Sequence, residues 1–190
     1  MKKLLIAAAA IAMASPAMAA TDGSLSTTDS TGTLDVTVNI PEMVRISGLD
    51  DLTIDITPAS LTSPFFSNST ESSSFCVYSN DGPDGEYSLT VNASASGVSG
   101  SPYALSGPEQ LPYSIFAGDE QSGAPSFVYQ FPGKVNTFSA NADGLGRPTT
   151  LDCTNRGDNA IIRARVDNDD AIAVQAGTYT DTITVTVAVI

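Results

Sequence analysis

The residues best able to do chemistry in this chain are its carboxylates, since 21 acidic side chains stand against 8 basic ones and no histidine. Two acidic clusters, at residues 81–86 and 167–170, carry the oxygen ligands that calcium prefers. Neither has the spacing of an EF-hand loop, and acidic side chains are also common in tight turns for backbone reasons. We predict turns at both clusters and no metal or cofactor, with weak calcium binding as the open alternative.

The absence of histidine argues against most classes of enzyme. Histidine is the usual general base and the commonest zinc ligand. Paired carboxylates could serve a glycosidase, but no Asp or Glu lies in a run that predicts a buried pocket. The net charge of −13 opposes contact with a phosphate backbone. We therefore predict a protein that is neither an enzyme nor a nucleic-acid binder.

Cys76 and Cys153 are the only cysteines. An even count in an exported protein favours a disulfide, and no Cys-x-x-Cys spacing is present to indicate redox chemistry. We predict a structural disulfide, with a free reactive thiol as the alternative.

The first residues have the order of a targeting segment. Lys2 and Lys3 precede an apolar run over residues 4–14, and a small-residue triplet follows at 17–19. This is the arrangement of a secretory signal peptide, and the run is well short of the ~20 residues that span a bilayer. We expect residues 1–19 to be removed on export through the periplasm, with an N-terminal membrane anchor as the alternative.

The elements that must position any site alternate apolar and polar residues with a period of two. The longest such runs are residues 34–40, 87–93 and 183–189, and shorter candidates lie at 52–56, 75–80, 113–116, 127–131 and 160–166. Alternation predicts strands with one buried face, and Gly, Asn, Asp and Pro clusters between them predict turns. About eight strands without helices indicate an all-β, immunoglobulin-like antiparallel sandwich.

The sequence also predicts whether six particular side chains lie in the core or on the surface. Four aromatic residues are assigned to the core rather than to a ligand platform: Tyr103, Tyr113, Tyr129 and Phe131. Arg163 and Arg165 alternate with apolar residues and are assigned to a solvated outer face.

The two ends of the chain carry the functional signal. Residues 20–32 are polar and predict a flexible lead-in, and residues 33–40 then alternate until Pro41 interrupts pairing. The residues after Gly177 alternate to the end of the sequence, which predicts a last strand inside the sandwich. Both runs could also be ordinary first and last strands of one domain.

These ends resemble a pilin subunit of the chaperone–usher pathway, closest to the archaic branch with spore coat protein U-like domains. The matching segments are TGTLDVTVNI at 31–40 and AGTYTDTITVTVAVI at 176–190. Val189 stands where many relatives have a penultimate aromatic residue, and the cysteines lie farther apart than in many pilins.

The resemblance implies an incomplete sandwich at residues 41–190 that lacks its seventh strand, with residues 20–40 as lead-in and donor strand. The donor side chains would be Leu34, Val36, Val38 and Ile40, and the acceptor or chaperone-contact strand would carry Gly177, Tyr179, Ile183, Val185, Val187 and Val189. The implied partners are neighbouring pilin subunits, a periplasmic chaperone and an outer-membrane usher. Strand addition would then build a surface fimbria that supports adhesion or biofilm formation. The alternative function is a secreted monomeric sandwich, closed by its own N-terminal strand, that coats the surface or binds a ligand.

Overall fold

The computed structural model describes residues 21–62, 68–95, 97–98, 100–119, 126–141, 144 and 146–190. The chain divides into two units, Met1–Ile40 and Pro41–Ile190. The predicted signal peptide, residues 1–19, lies outside the described residues.

Little regular structure is present in the described part of the first unit, residues 21–40. Thr21 and Thr33 exchange two backbone hydrogen bonds of 2.9 Å and form an isolated bridge. Residues 34–40 belong to no strand, although their alternation predicted one. A strand needs a hydrogen-bonded neighbour, and alternation does not supply one.

The second unit is built from strands. Its elements are β1 (Val44–Ser47), α1 (Pro58–Leu61), β2 (Asn68–Ser79), β3 (Glu86–Ala93), β4 (Tyr103–Ser106), β5 (Gln110–Asp119), β6 (Ser126–Tyr129), β7 (Val135–Ser139), β8 (Ala160–Asp167), α2 (Asn168–Ala173) and β9 (Ile183–Ala188). Neither helix in the described part of the chain is long or apolar enough to cross a membrane.

The strands form two antiparallel sheets. The larger sheet has the order β1-β2-β8-β5-β4, with β6 also paired to β5, and the smaller has the order β7-β3-β9. The predicted all-β sandwich is therefore confirmed. Two short helices depart from the helix-free prediction, and each has a polar N-cap, Thr57 for α1 and Asp167 for α2.

The core lies between the inner faces of the two sheets. Its largest fully buried side chains include Tyr87, Tyr103, Phe75, Leu89 and Ile115. They come from alternate positions of β2, β3, β4 and β5, as a strand with one buried face requires.

The four aromatic residues assigned to the core divide into two pairs. Tyr103 and Tyr113 are buried, at 0% and 3% exposure. The assignment of Tyr129 and Phe131 to the core is wrong, because Tyr129 lies on the outer side of the sheet at 38% exposure and Phe131 in the turn after β6 at 46%.

Candidate functional site

The candidate site is the free edge of β9. Among the described strands, β9 pairs with β3 alone, in a register that sets Val185 opposite Val91 and Val187 opposite Leu89. Its second edge carries no ladder among these strands. The predicted last strand is present in the sandwich as β9, and the structure places it at an edge of the smaller sheet.

The side chains of β9 are sorted by the pleat of the strand. Ile183, Val185 and Val187 are half-buried and pack against the core, whereas Thr184 and Thr186 are exposed. Val189, just beyond the strand, is half-buried as well. An apolar row beside an unpaired backbone edge is the combination that strand addition uses.

Across the core from β9, the larger sheet also supplies apolar side chains. Its edge strand β1 contacts β9, and Val44 and Ile46 from β1 pack against the core. The residues that follow continue this apolar row without forming a strand: Leu52, Ile54 and Ile56 are half-buried and pack against the core, alternating with exposed polar residues. Residues 51–57 are assigned to no strand. We call β1, residues 52–56 and the free edge of β9 the open side of the sandwich.

The strand prediction for residues 52–56 is therefore correct about which side chains face the core. It is wrong about secondary structure, because the segment does not pair with a neighbouring strand as part of a ladder. Sequence reasoning did not assign this segment to the site. The available signal was its alternation combined with Pro58, which ends the extended run at the N-terminus of α1.

Asp181 anchors the start of β9. Its Oδ1 accepts hydrogen bonds from the backbone N–H groups of Ala95 at 3.1 Å and Thr182 at 2.7 Å, and from the Ser94 hydroxyl. Its Oδ2 accepts the Tyr113 hydroxyl at 2.6 Å. Burial alone would raise the pKa of Asp181, but these donors outweigh that effect and hold the pKa below its ordinary value. Sequence reasoning missed this residue, for which the only signal was a carboxylate directly before an alternating run.

Two predicted acceptor residues lie away from the free edge. Gly177 sits against the turn between β4 and β5, where an added Cβ would lie 2.7 Å from Cγ of Pro108. Tyr179 packs against the core, and its hydroxyl donates to the Gln175 carbonyl at 2.6 Å. The structure thus groups Ile183, Val185, Val187 and Val189 at the open side and places Gly177 and Tyr179 before it.

The four predicted donor side chains are exposed. Leu34, Val36, Val38 and Ile40 are 71%, 79%, 76% and 73% exposed. Four aliphatic side chains in alternating positions are costly to leave in water, at roughly 1.5–3 kcal/mol each relative to burial.

The predicted disulfide is present between Cys76 and Cys153, whose Cα atoms are 5.7 Å apart. Cys76 stands opposite Ser47 in the ladder between β1 and β2, so the bond ties this edge of the larger sheet to the loop before β8.

A carboxylate of each acidic cluster accepts a hydrogen bond within the fold. Asp167 caps α2 by accepting the Asp169 N–H at 3.1 Å, and Asp84 accepts the Asn141 amide at 2.8 Å. Within the described residues, no group of three His, Cys, Asp or Glu side chains comes together as a metal site. A cavity of about 420 Å³ is lined by residues 53–55 and 68–71, and the carboxylates in its described lining are Asp55 and Glu71.

Comparison with solved structures shows a likeness to a fimbrial protein complex. No protein-family model and no curated protein sequence matches the chain. The chain is similar to a chain of a solved structure described as a chaperone–tip adhesin complex that is vital for synergistic activation of CFA/I fimbriae biogenesis, at 14% identity and a TM-score of 0.46. The likeness covers 76% of this chain and 40% of that one, so this chain matches less than half of that neighbour's length.

Proposed function

We propose that this protein is a non-enzymatic structural subunit of a bacterial surface fimbria that polymerises by donor-strand complementation. Residues 33–40 of one subunit would add a strand along the free edge of β9 in the next. A periplasmic chaperone would occupy that edge first and an outer-membrane usher would catalyse the exchange. The resulting fibre would support adhesion or biofilm formation.

One observation carries this proposal: an edge strand with a half-buried apolar row and no second neighbour among the described strands lies in the same chain as an exposed apolar row of matching period. Ile183, Val185 and Val187 supply the first row, and the four exposed donor side chains supply the second. An exposed edge of this kind is an aggregation hazard in a free monomer, so a protein that keeps one needs a partner to cover it.

The energy of such a joint is large enough to hold a fibre. Four aliphatic side chains contribute roughly 6–12 kcal/mol of gross burial energy, before the costs of association. A slip by one residue would turn Asp35, Thr37 and Asn39 inward, so the register should be strict.

The test uses the full mature chain and two variants that each damage one half of the joint. Val38→Asp puts a charge on the donor row, and Val185→Asp puts one on the acceptor row. We expect both variants to fold but to remain monomeric. Mixed together, they should form a dimer and stop, because Val38→Asp keeps its acceptor edge and Val185→Asp keeps its donor segment. Light scattering coupled to size-exclusion chromatography measures the masses.

The matched control is Thr37→Asp, which adds the same charge one residue away on the opposite side of the donor strand. It should assemble as the wild type does. Fibres of normal yield from Val38→Asp would overturn the donor assignment. A stable monomer that loses its fold when residues 20–40 are deleted would instead support the self-closed alternative.

A further inference from the structure

The outer face of the larger sheet carries a cluster of arginine and aromatic side chains. Phe116 on β5 stands opposite Arg163 on β8 and opposite Tyr129 on β6. The rings of Phe116 and Tyr129 meet edge to face with centroids 5.4 Å apart. We call Phe116, Phe127, Tyr129, Arg163 and Arg165 the arginine–aromatic face.

Both guanidinium groups are held against rings. Cζ of Arg163 lies 3.7 Å from the centroid of Phe127, and Cζ of Arg165 lies 5.0 Å from that of Phe116. Nε of Arg163 also donates to the Ser72 hydroxyl at 3.1 Å. A ring beneath a guanidinium restricts its motion without using its N–H donors, so the donors that no protein group accepts stay available to a ligand.

No carboxylate meets either guanidinium among the described residues. The cross-strand neighbours of Arg163 are Ser72 and Phe116, and those of Arg165 are Thr70 and Ser114. All four neighbours are uncharged in a chain that has 21 carboxylates and only 8 basic residues. Asp167 follows Arg165 by two positions on the same face of β8, but its carboxylate caps α2, so neither guanidinium is ion-paired among the described residues. Ordered cations without an ion-pair partner are what an anion-binding surface requires.

A third cation borders the same face. Nζ of Lys134 donates to the Tyr129 carbonyl at 2.6 Å and lies 5.3 Å from the centroid of Phe131. Tyr129 and Phe131 are substantially exposed, so apolar ring surface is available beside the positive charge.

We infer that the arginine–aromatic face binds an acidic saccharide, with the two guanidinium groups holding its carboxylates and the exposed ring of Tyr129 packing against a sugar face. Arg163 and Arg165 are two residues apart on one strand, so their Cα atoms are about 7 Å apart. A chain with repeated carboxylates can engage both. Bidentate contact with a carboxylate is the geometry for which the arginine fork is best suited.

The partial burial of both arginines favours a slender ligand over a folded surface. Both arginines are half-buried with their guanidinium groups over phenylalanine rings, whereas Tyr129 and Phe131 are exposed. Carboxylates on a narrow polymer can reach between these rings, while a broad acidic protein surface would be held off by them. Three cations on a chain of net charge −13 are also too few to hold a nucleic acid.

The test is calorimetric titration of the full mature chain with a galacturonate hexamer. Its fully methyl-esterified form is a neutral control of nearly the same shape, and a glutamate hexapeptide is the acidic peptide control. We expect the galacturonate to bind and the ester not to bind, and we expect the affinity to fall as salt is raised. Arg165→Gln and Arg163→Gln should each weaken binding by roughly tenfold or more.

Arg45→Gln is the matched control, because Arg45 is exposed on β1 in the edge region of the same sheet. It should bind as the wild type does, and melting temperatures verify that each variant is folded. If a glutamine variant does not fold, Arg165→Lys keeps the charge, loses the bidentate fork and should still weaken binding. The inference is overturned if the hexamer does not bind, if the ester or the peptide binds equally well, or if Arg45→Gln weakens binding as much. None of these results depends on polymerisation.

Discussion

The Tyr113 hydroxyl donates a hydrogen bond of 2.6 Å to Oδ2 of Asp181 and thereby connects the two sheets. Tyr113 belongs to β5 in the larger sheet, and Asp181 lies two residues before β9 in the smaller one. The pKa of Tyr113 is raised mainly by burial and, to a smaller extent, by the hydrogen bond with Asp181. The hydroxyl therefore stays protonated, and remains a hydrogen-bond donor, at any physiological pH. The free edge of β9 therefore begins from a point that is fixed to the opposite sheet.

Removing this hydroxyl should destabilise the sandwich. Tyr113→Phe keeps the buried ring but deletes a hydrogen bond to a charged acceptor, which costs about 1.5–3 kcal/mol of unfolding free energy. Urea unfolding measures the change. Tyr129→Phe is the control, since its ring is exposed on the outer face, and it should be close to neutral. Equal stability of Tyr113→Phe and the wild type would show that the contact adds nothing.

Stability should depend on pH through Asp181. Its folded pKa is lowered, so its contribution is complete above the unfolded value of about 3.9 and is lost as the pH falls through the lower folded value. Asp181→Asn removes this titration. The difference in unfolding free energy between the wild type and Asp181→Asn should therefore be largest near neutral pH and shrink below about pH 4. A constant difference between pH 7 and pH 2 would contradict the assignment.

Reduction of the disulfide should lower stability by roughly 4 kcal/mol, because Cys76 and Cys153 close a loop with a sequence separation of 77. The measurement is the denaturant midpoint with and without a reductant. In the double variant Cys76→Ser, Cys153→Ser, the same reductant should have no effect. An unchanged midpoint for the reduced wild type would mean that the loop is held by other contacts.

Asn159 should be one of the most sensitive buried polar residues. Its amide donates to the carbonyls of Val77 at 2.9 Å and Ala140 at 3.0 Å, and its oxygen accepts the Val77 N–H at 2.8 Å. Asn159→Ala leaves these buried groups without partners, at a cost of about 3 kcal/mol. Thermal unfolding measures the loss. Asn92→Ala, at an exposed position with one hydrogen bond of 3.3 Å from Gly133, should lose less than about 1 kcal/mol.

Alternation located six of the nine strands in the described part of the chain. The long runs at 87–93 and 183–189 correspond to β3 and β9, and the shorter candidate at 160–166 corresponds to β8. The shorter candidates at 75–80, 113–116 and 127–131 overlap β2, β5 and β6. The strands β1, β4 and β7 were missed, because each has only four or five residues and too few positions to display a period. The strand β6 is as short, but its alternate aromatic positions continue to Phe131 and lengthen the pattern.

The first half of β2 was missed for a different reason. Residues 68–74, NSTESSS, contain no apolar side chain and show no alternation. They form a strand because β8 supplies a full ladder beside them, from Asn68 opposite Asp167 to Ser74 opposite Ile161. Backbone hydrogen bonds with a neighbour override weak side-chain preference.

The sequence by itself determined which face of β3, β8 and β9 is buried, and this holds even for residues 52–56, whose exposure alternates as their residue types do. It also determined the all-β class and the pairing of the only two cysteines. Only the tertiary structure decided which strands have neighbours: within the described residues β9 has one neighbour, and residues 34–40 and 52–56 are in no strand. It also brought Tyr113 to Asp181 and the arginines to their rings. The physical reason is that side-chain type reports local burial, whereas a ladder or a hydrogen bond depends on a partner distant in the chain.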